Sequence, residues 1–449
     1  MSIQVATKEM FLTDLLDRCG KLAKANGKVG AFDLQNVRDA AASWLQDASF
    51  PTVRDEEWRF TDLSPLLQVR LNLPEIDESK IQLADFILPV KSPDELPYRL
   101  VFVNGIFAPH LSTVRSANLP SLPIELYAGT LSDVPEAYRA RINEILSQQK
   151  PQNDVFVALN FAGLTDAAVV FVPANLPVEM PIHLLFLTVS GASPTIAQPH
   201  CLIVAERGSK VTLIEDYATI GKVPAFTNAV TEVFVGENAE VNHVRLQRES
   251  WDVFHVGKSS IEQSRNSRYA CHSISMGGKI SRHNLDVVQR GEGTETTLNG
   301  LTSAFGEQLA DTHSSIGFNH PHGTSRQLHK CIIGNKARAV FNGKVFVPKA
   351  AQLTDAGQLS RNLLLSPRAR VDTKPQLEIV ADNVKCSHGA TVSQLEDDEL
   401  FYLQSRGLDL ETSRYLLIDA FAAEILDKLP VLGVAKMLST CVAVPESLV

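Results

Sequence analysis

The run Ile182-His-Leu-Leu-Phe-Leu-Thr188 and the corner Gly208-Ser-Lys-Val211 set the pattern by which the middle of this chain is read. A short run of β-branched, leucine or aromatic residues is followed by a small turn residue, polar filler and a return to strand. Such side chains fit a pleated, half-buried surface, and glycine supplies the backbone conformations that tight turns need. Leu100-Val-Phe-Val103 and Ala168-Val-Val-Phe-Val172 are runs of the same kind. Gly236-Glu-Asn-Ala239, Gly277-Gly-Lys-Ile280, Gly291-Glu-Gly-Thr294, Gly334-Asn-Lys-Ala337 and Ser366-Pro-Arg-Ala369 are corners of the same kind. Their spacing is irregular, and from Asp154 to about Leu395 strands are expected to run almost unbroken. A β-solenoid that stacks a strand pair per turn fits this better than a β-sandwich, which would be large at this length.

Helices flank the strands. Lys8 to Ala25 and Asp33 to Leu45 carry apolar residues near helical spacing, and Val134 to Gln148 interrupts the strands once. Beyond Leu395, Tyr415, Ile418, Phe421, Ala422, Ile425 and Leu429 form an apolar stripe closed by Pro430, and Val431 to Cys441 reads as a further short helix. These helices either cap the solenoid or offer an apolar face to a partner groove. The expected organisation is an N-terminal helical region over residues 1–95, a β-helix core over 96–395 and a C-terminal helical region over 396–449. Trp58 and Phe60, in Arg54-Asp-Glu-Glu-Trp-Arg-Phe-Thr-Asp-Leu63, are expected to pack between helix and body.

A formal net charge of -9 argues against a general nucleic-acid binder, because counterion release needs a basic surface. The six cysteines lie far apart without a CxxC pair, which fits a reducing compartment rather than a disulfide framework. Met1 to Asp17 has neither the basic flank nor the apolar run of a targeting segment, and no apolar stretch reaches membrane-spanning length. A cytoplasmic location and no membrane association are expected.

Catalytic signatures are missing. Gly278-Lys279 comes nearest to a phosphate loop, but Ser273 stands where its first glycine must be. Neither a GxSxG elbow nor an HExxH helix appears, so the chain is not expected to be an enzyme. A solenoid acting on polysaccharide would need paired carboxylates on one sheet, which the acids, mostly in turns and terminal helices, do not supply. His313, His320, His322 and His329 fall close together and could make the chain an autonomous metal binder, although a structural histidine row is the commoner outcome. In Lys374-Pro-Gln-Leu-Glu-Ile-Val-Ala-Asp-Asn-Val-Lys-Cys-Ser-His-Gly-Ala-Thr391, strand alternation puts Cys386 and His388 on one face. A thiolate beside an imidazole can hold Fe²⁺ or stabilise a persulfide.

That stretch, with Phe341-Asn-Gly-Lys-Val-Phe-Val347, Ala351-Gln-Leu-Thr-Asp-Ala-Gly-Gln358, Phe401-Tyr-Leu-Gln-Ser-Arg-Gly407 and Glu56-Glu-Trp-Arg-Phe-Thr-Asp-Leu63, closely resembles the SufB/SufD family, and the resemblance extends more thinly over the whole chain. It implies a mainly β fold, a right-handed β-helix-like solenoid core flanked by N- and C-terminal helical segments. It implies a non-catalytic scaffold limb of a SufB–SufC–SufD complex for iron–sulfur cluster assembly, with SufC supplying the ATPase. The end of the β-helix would pair with SufB, and a nascent iron–sulfur cluster would form at that junction; in the isolated chain the strand edge left unpaired there is expected to pair with a second copy. The C-terminal helices would dock SufC, with Ile418, Phe421 and Ile425 as the contact residues. SufB-like chains carry an assembly cysteine near Ser360-Arg361 and a glutamate after the histidine. Here Leu359 to Leu365 has no cysteine and Gly389 follows His388, so the resemblance is to the SufD side, with His388 as the metal-site residue and Cys386 its less certain neighbour. The family also implies a reduced flavin in the complex, for which no residue is assigned.

Overall fold

From His200 onward each strand pairs not with the next strand in sequence but with the next but one, all in parallel. A computed structural model of the chain describes residues 8–25, 32–73, 81, 98–113, 123, 125–148 and 154–442. The expected boundary at residue 95 lies outside the described residues. Alternate strands build two ten-stranded sheets that wind as a β-solenoid of about eight turns.

One sheet runs in space through Ile182–Val189, Lys210–Ile220, Glu240–Gln247, Arg268–Ser275, Glu295–Ala304, Thr324–Ile333 and Asp355–Leu364, and ends on Lys385–Ser393. The other runs through Ala225–Val235, Val253–Gln263, Ile280–Gln289, Leu309–Gly317 and Arg338–Val347, and ends on Arg370–Ile379. At one edge the corners stack on residues in the left-handed conformation: Gly208, Asn238, Asn266, Gly293, His322 and Leu353. Each N–H donates to a carbonyl of the following corner, as Asn238 does to Arg265, Asn266 to Glu292 and Leu353 to Asn383. Glycine and asparagine tolerate this conformation, which is why they mark the corners in the sequence.

Every second residue points into the lumen between the sheets. The lumen is apolar along one side, where Val233, Ile261, Val287, Ile316 and Val345 stack coil upon coil. The outer faces are covered by helix. Lys8–Ala25, Gln35–Asp47 and Val155–Ala162 bury Leu15, Leu45 and Phe156 against the outward Phe226, Val230, Phe254 and Ile280. Trp58 packs on Phe156, 5.4 Å between centroids, and carries the Arg282 guanidinium 3.9 Å above its ring.

Val155–Ala162 corrects the expectation of unbroken strand after Asp154. Its residues suit either state, but Asp154 Oδ1 accepts from the N–H groups of Phe156 and Val157, capping a helix, and burial on nearly every side removes the amphipathic signal.

The C-terminal helices Leu410–Leu426 and Leu432–Val442 do not cap the solenoid. They lie along the outer face of the first sheet, over Ile214, Val244, Leu246, Ile274, Leu301, Ile332 and Leu363. The last coil is left with two strands, Arg370–Ile379 and Lys385–Ser393, each unpaired on its far edge among the described residues. No helix among the described residues is long and apolar enough to cross a membrane.

Candidate functional site

The terminal strand Lys385–Ser393 is aligned by a tight corner. Leu353 N–H donates to Asn383 C=O at 2.7 Å, and Asn383 N–H donates to Gln352 Oε1 at 3.0 Å. Its register sets Cys386 against Ala356 and His388 against Gln358. Followed inward, the His388 row continues through Gln358, Gln327, Leu298, Cys271 and His243, which are buried luminal side chains. Cys386 and His388 therefore share the luminal side, as the strand alternation predicted. Among the described residues no further coil covers them.

Their environments differ. Cys386 is half-buried against the luminal apolar cluster, and burial raises its thiol pKa, with Asp355 adding to the effect against a lowering hydrogen bond from the Ala356 backbone. A thiol held protonated is a poor metal ligand. His388 is exposed, and its strand borders, on the outer face of the sheet, a groove of about 680 Å³ that Arg326, Leu359 and Lys428 also line. Among the described residues no three His, Cys, Asp or Glu side chains come together in a metal-holding group. The described residues therefore offer no complete ligand set for a cation at His388.

The histidines grouped by sequence are separated in space. His313 faces outward on Leu309–Gly317, where it pairs with Asp311 at 3.0 Å and Glu57 at 3.2 Å, and these carboxylates raise its pKa against the opposing effect of burial. His320 and His322 lie in the turn beyond that strand. His329 lies in the lumen, stacked on Phe341 at 4.5 Å, and burial lowers its pKa to about 3. The structure thus dissolves the proposed cluster: two of the four point to opposite sides of two different sheets.

Ile418 and Ile425 also sit differently from expectation. Both are buried between Leu410–Leu426 and the sheet, and Phe421 is half-buried with Lys330 Nζ 4.0 Å from its ring centroid. The apolar stripe is taken up within the chain, because the sheet beneath it offers a complementary apolar row. Phe401, Tyr402, Leu410 and Leu416 are the exposed apolar side chains of the C-terminal helices on the described surface before Leu432.

A buried polar centre in mid-lumen escaped the sequence reading. Glu215 Oε2 accepts from His243 Nε2 at 2.7 Å, Glu249 Oε2 pairs with His255 Nδ1 at 2.7 Å, and Arg245 stacks 5.1 Å over Tyr217. Despite complete burial, the Glu215 pKa is lowered to about 2 by His243 and Arg245. The signal was present as polar residues at alternate, inward positions of strands, but only the coil register brings them together.

Against known proteins, residues 186–421 match the family described as SUF system FeS cluster assembly, SufBD core domain, and residues 13–184 match the SufBD protein N-terminal region. An iron–sulfur cluster assembly SufBD family protein of Synechocystis is 47% identical over 91% of this chain and 90% of its own length. The chloroplastic protein ABCI7 of Arabidopsis thaliana is 36% identical over 88% of this chain and 83% of its own. The iron–sulfur cluster assembly protein SufD of Escherichia coli is 32% identical over 86% of each.

Proposed function

The chain belongs to the SufBD family of iron–sulfur cluster assembly proteins, and from that premise we propose that it is a SufD-type scaffold subunit. It does no chemistry of its own. It presents His388 as a ligand to iron, or to a nascent iron–sulfur cluster, at a junction with SufB in the cytosol. The carrying observation is the uncovered last coil: two edge strands, exposed Ile379, Val380 and Val392, and His388 on the row that opens there. Unpaired edges invite strand addition from another chain, and a site short of ligands is completed by that same event.

The C-terminal helical region is the SufC-docking region in this reading. Because Ile418 and Ile425 hold the helix to the sheet, the contacts come from the exposed Phe401, Tyr402, Leu410 and Leu416. Flavin, if held by the complex, is left without assigned residues in this chain.

The test is His388→Ala, with Cys386→Ser beside it, in the chain co-purified with SufB and SufC. Expected is a complex of full mass and ATPase activity that builds no cluster in the histidine variant and shows a milder defect in the cysteine variant. Normal cluster content in His388→Ala would overturn the assignment.

A further inference from the structure

Two of the segments that carry the family resemblance, Phe341 to Val347 and Ala351 to Gln358, meet directly behind His388. Gln358 is luminal, 4% exposed, and is the register partner of His388 on the preceding coil. Its Nε2 donates to Gln327 Oε1 at 2.8 Å, and Gln327 Nε2 donates to Ser314 Oγ at 2.7 Å. This relay sets the sense of the amide, which the hydrogen-bond network decides. With the nitrogen engaged inward, the atom left over is Gln358 Oε1, buried and without a hydrogen-bond partner. The space for the amide is built: a Cβ at Gly343, on the facing sheet, would fall 2.0 Å from Gln358 Nε2.

The next side chain in this row is His388, about 4.8 Å further along as adjacent strands are spaced. Its imidazole has no hydrogen-bond partner among the described residues. We propose that Gln358 is a positioning residue for His388: its carbonyl accepts one imidazole N–H, fixing the tautomer and turning the other ring nitrogen, with its lone pair, toward the open end of the solenoid. Ligand histidines characteristically donate their second ring N–H to a carbonyl or carboxylate, which sets tautomer and orientation and raises basicity. The inference deepens the proposed role of His388 as a ligand and rests on it.

The experiment uses the full-length isolated chain labelled with ¹⁵N-histidine, with the His388 signals identified by their loss in His388→Asn. At a pH where the ring is neutral, a fixed tautomer gives two well-separated ring-nitrogen shifts, whereas an exposed imidazole exchanging between tautomers gives two that converge. Separated shifts are expected in the unsubstituted chain and in Gln358→Glu, which keeps an acceptor oxygen. Converged shifts are expected in Gln358→Leu and in Gly343→Ala, whose methyl displaces the amide without altering it. Separated shifts persisting in Gln358→Leu, or converged shifts in the unsubstituted chain, overturn the proposal. Should Gln358→Leu fail to fold, the contrast between Gln358→Glu and Gly343→Ala decides in the same way. Because no cluster is involved, the result is independent of whether His388→Ala blocks assembly, so each idea can fail alone.

Discussion

Lys330 Nζ lies 2.6 Å from Glu424 Oε2, joining the buried outer face of the first sheet to the helix Leu410–Leu426. Lys330 is 3% exposed. It also donates to the Phe421 carbonyl at 2.7 Å, and Arg361 from the neighbouring coil reaches the same Glu424 oxygen at 3.0 Å. The coils and the helical region are thus locked by one carboxylate.

Glu424→Ala should leave Lys330 buried with only the carbonyl and the Phe421 ring. Losing the partner of a buried charge costs several kcal/mol, but Glu424 is partly exposed and water replaces some of it, so about 1–2 kcal/mol is expected. Urea unfolding followed by circular dichroism measures this, with Glu424→Gln expected between the two.

The N-terminal segment should be held more tightly in mild acid than at alkaline pH. Glu57 and Asp311 raise the His313 pKa above its ordinary value. A group with a raised folded pKa gives its full stabilisation below its unfolded pKa, about 6.5 for histidine, and loses it as pH rises through the folded value. Trp58, stacked on Arg282 beside this pair, reports the change: its fluorescence should shift toward that of an exposed indole as pH rises from about 6.5, and His313→Gln should abolish the shift. A pH-independent signal in the unsubstituted chain would show that Glu57 contributes nothing to docking.

Ile425→Ala should destabilise the chain rather than selectively weaken docking. Ile425 is fully buried against the sheet, and such truncations cost about 2–5 kcal/mol. By the same reasoning, truncation after Leu410 uncovers Ile214, Val244, Leu246, Ile274 and Leu301 together. It should lower the melting temperature and promote aggregation. Phe401→Ser, at a side chain 72% exposed, should leave the melting temperature within the scatter of surface substitutions while weakening capture by SufC.

How far these features were legible in sequence follows from how local each one is. Strands and corners were visible because alternation and left-handed asparagines are written into single segments, as at Gly236 to Ala239. The i, i+3, i+4 spacing found the apolar stripe of Ile418 and Ile425, but helical period does not say whether sheet or partner covers it. Cys386 and His388 could be put on one side by strand parity alone. Gln358 behind His388, and Glu215 beside His243, could not be paired, because inter-coil register depends on the corner lengths between them. The same ignorance of register grouped His313 with His329, which a single intervening turn sends to different sheets.

The last coil gives the sharpest test of association. Its edges expose backbone N–H and C=O groups, and beside them Ile379, Val380 and Val392 stand 40%, 55% and 51% exposed. Val392 sits on the row behind which Asn362 and Cys331 are buried, so it faces whatever continues the lumen. Without SufB the isolated chain should pair this coil with that of a second copy about a two-fold axis, which brings two equivalent Val392 positions into one seam. Val392→Lys then adds two like charges to a desolvating interface while costing the folded monomer almost nothing, since the side chain is exposed. Light scattering over a dilution series should show the dimer dissociating at a concentration at least tenfold higher than for the unsubstituted chain, equivalent to about 1.4 kcal/mol. If SufB pairs with the same edges, as proposed, its capture should weaken in parallel. An unchanged dimer that still captures SufB would place association elsewhere on the molecule, and a monomer at micromolar concentration before any substitution would mean that the edges alone do not suffice.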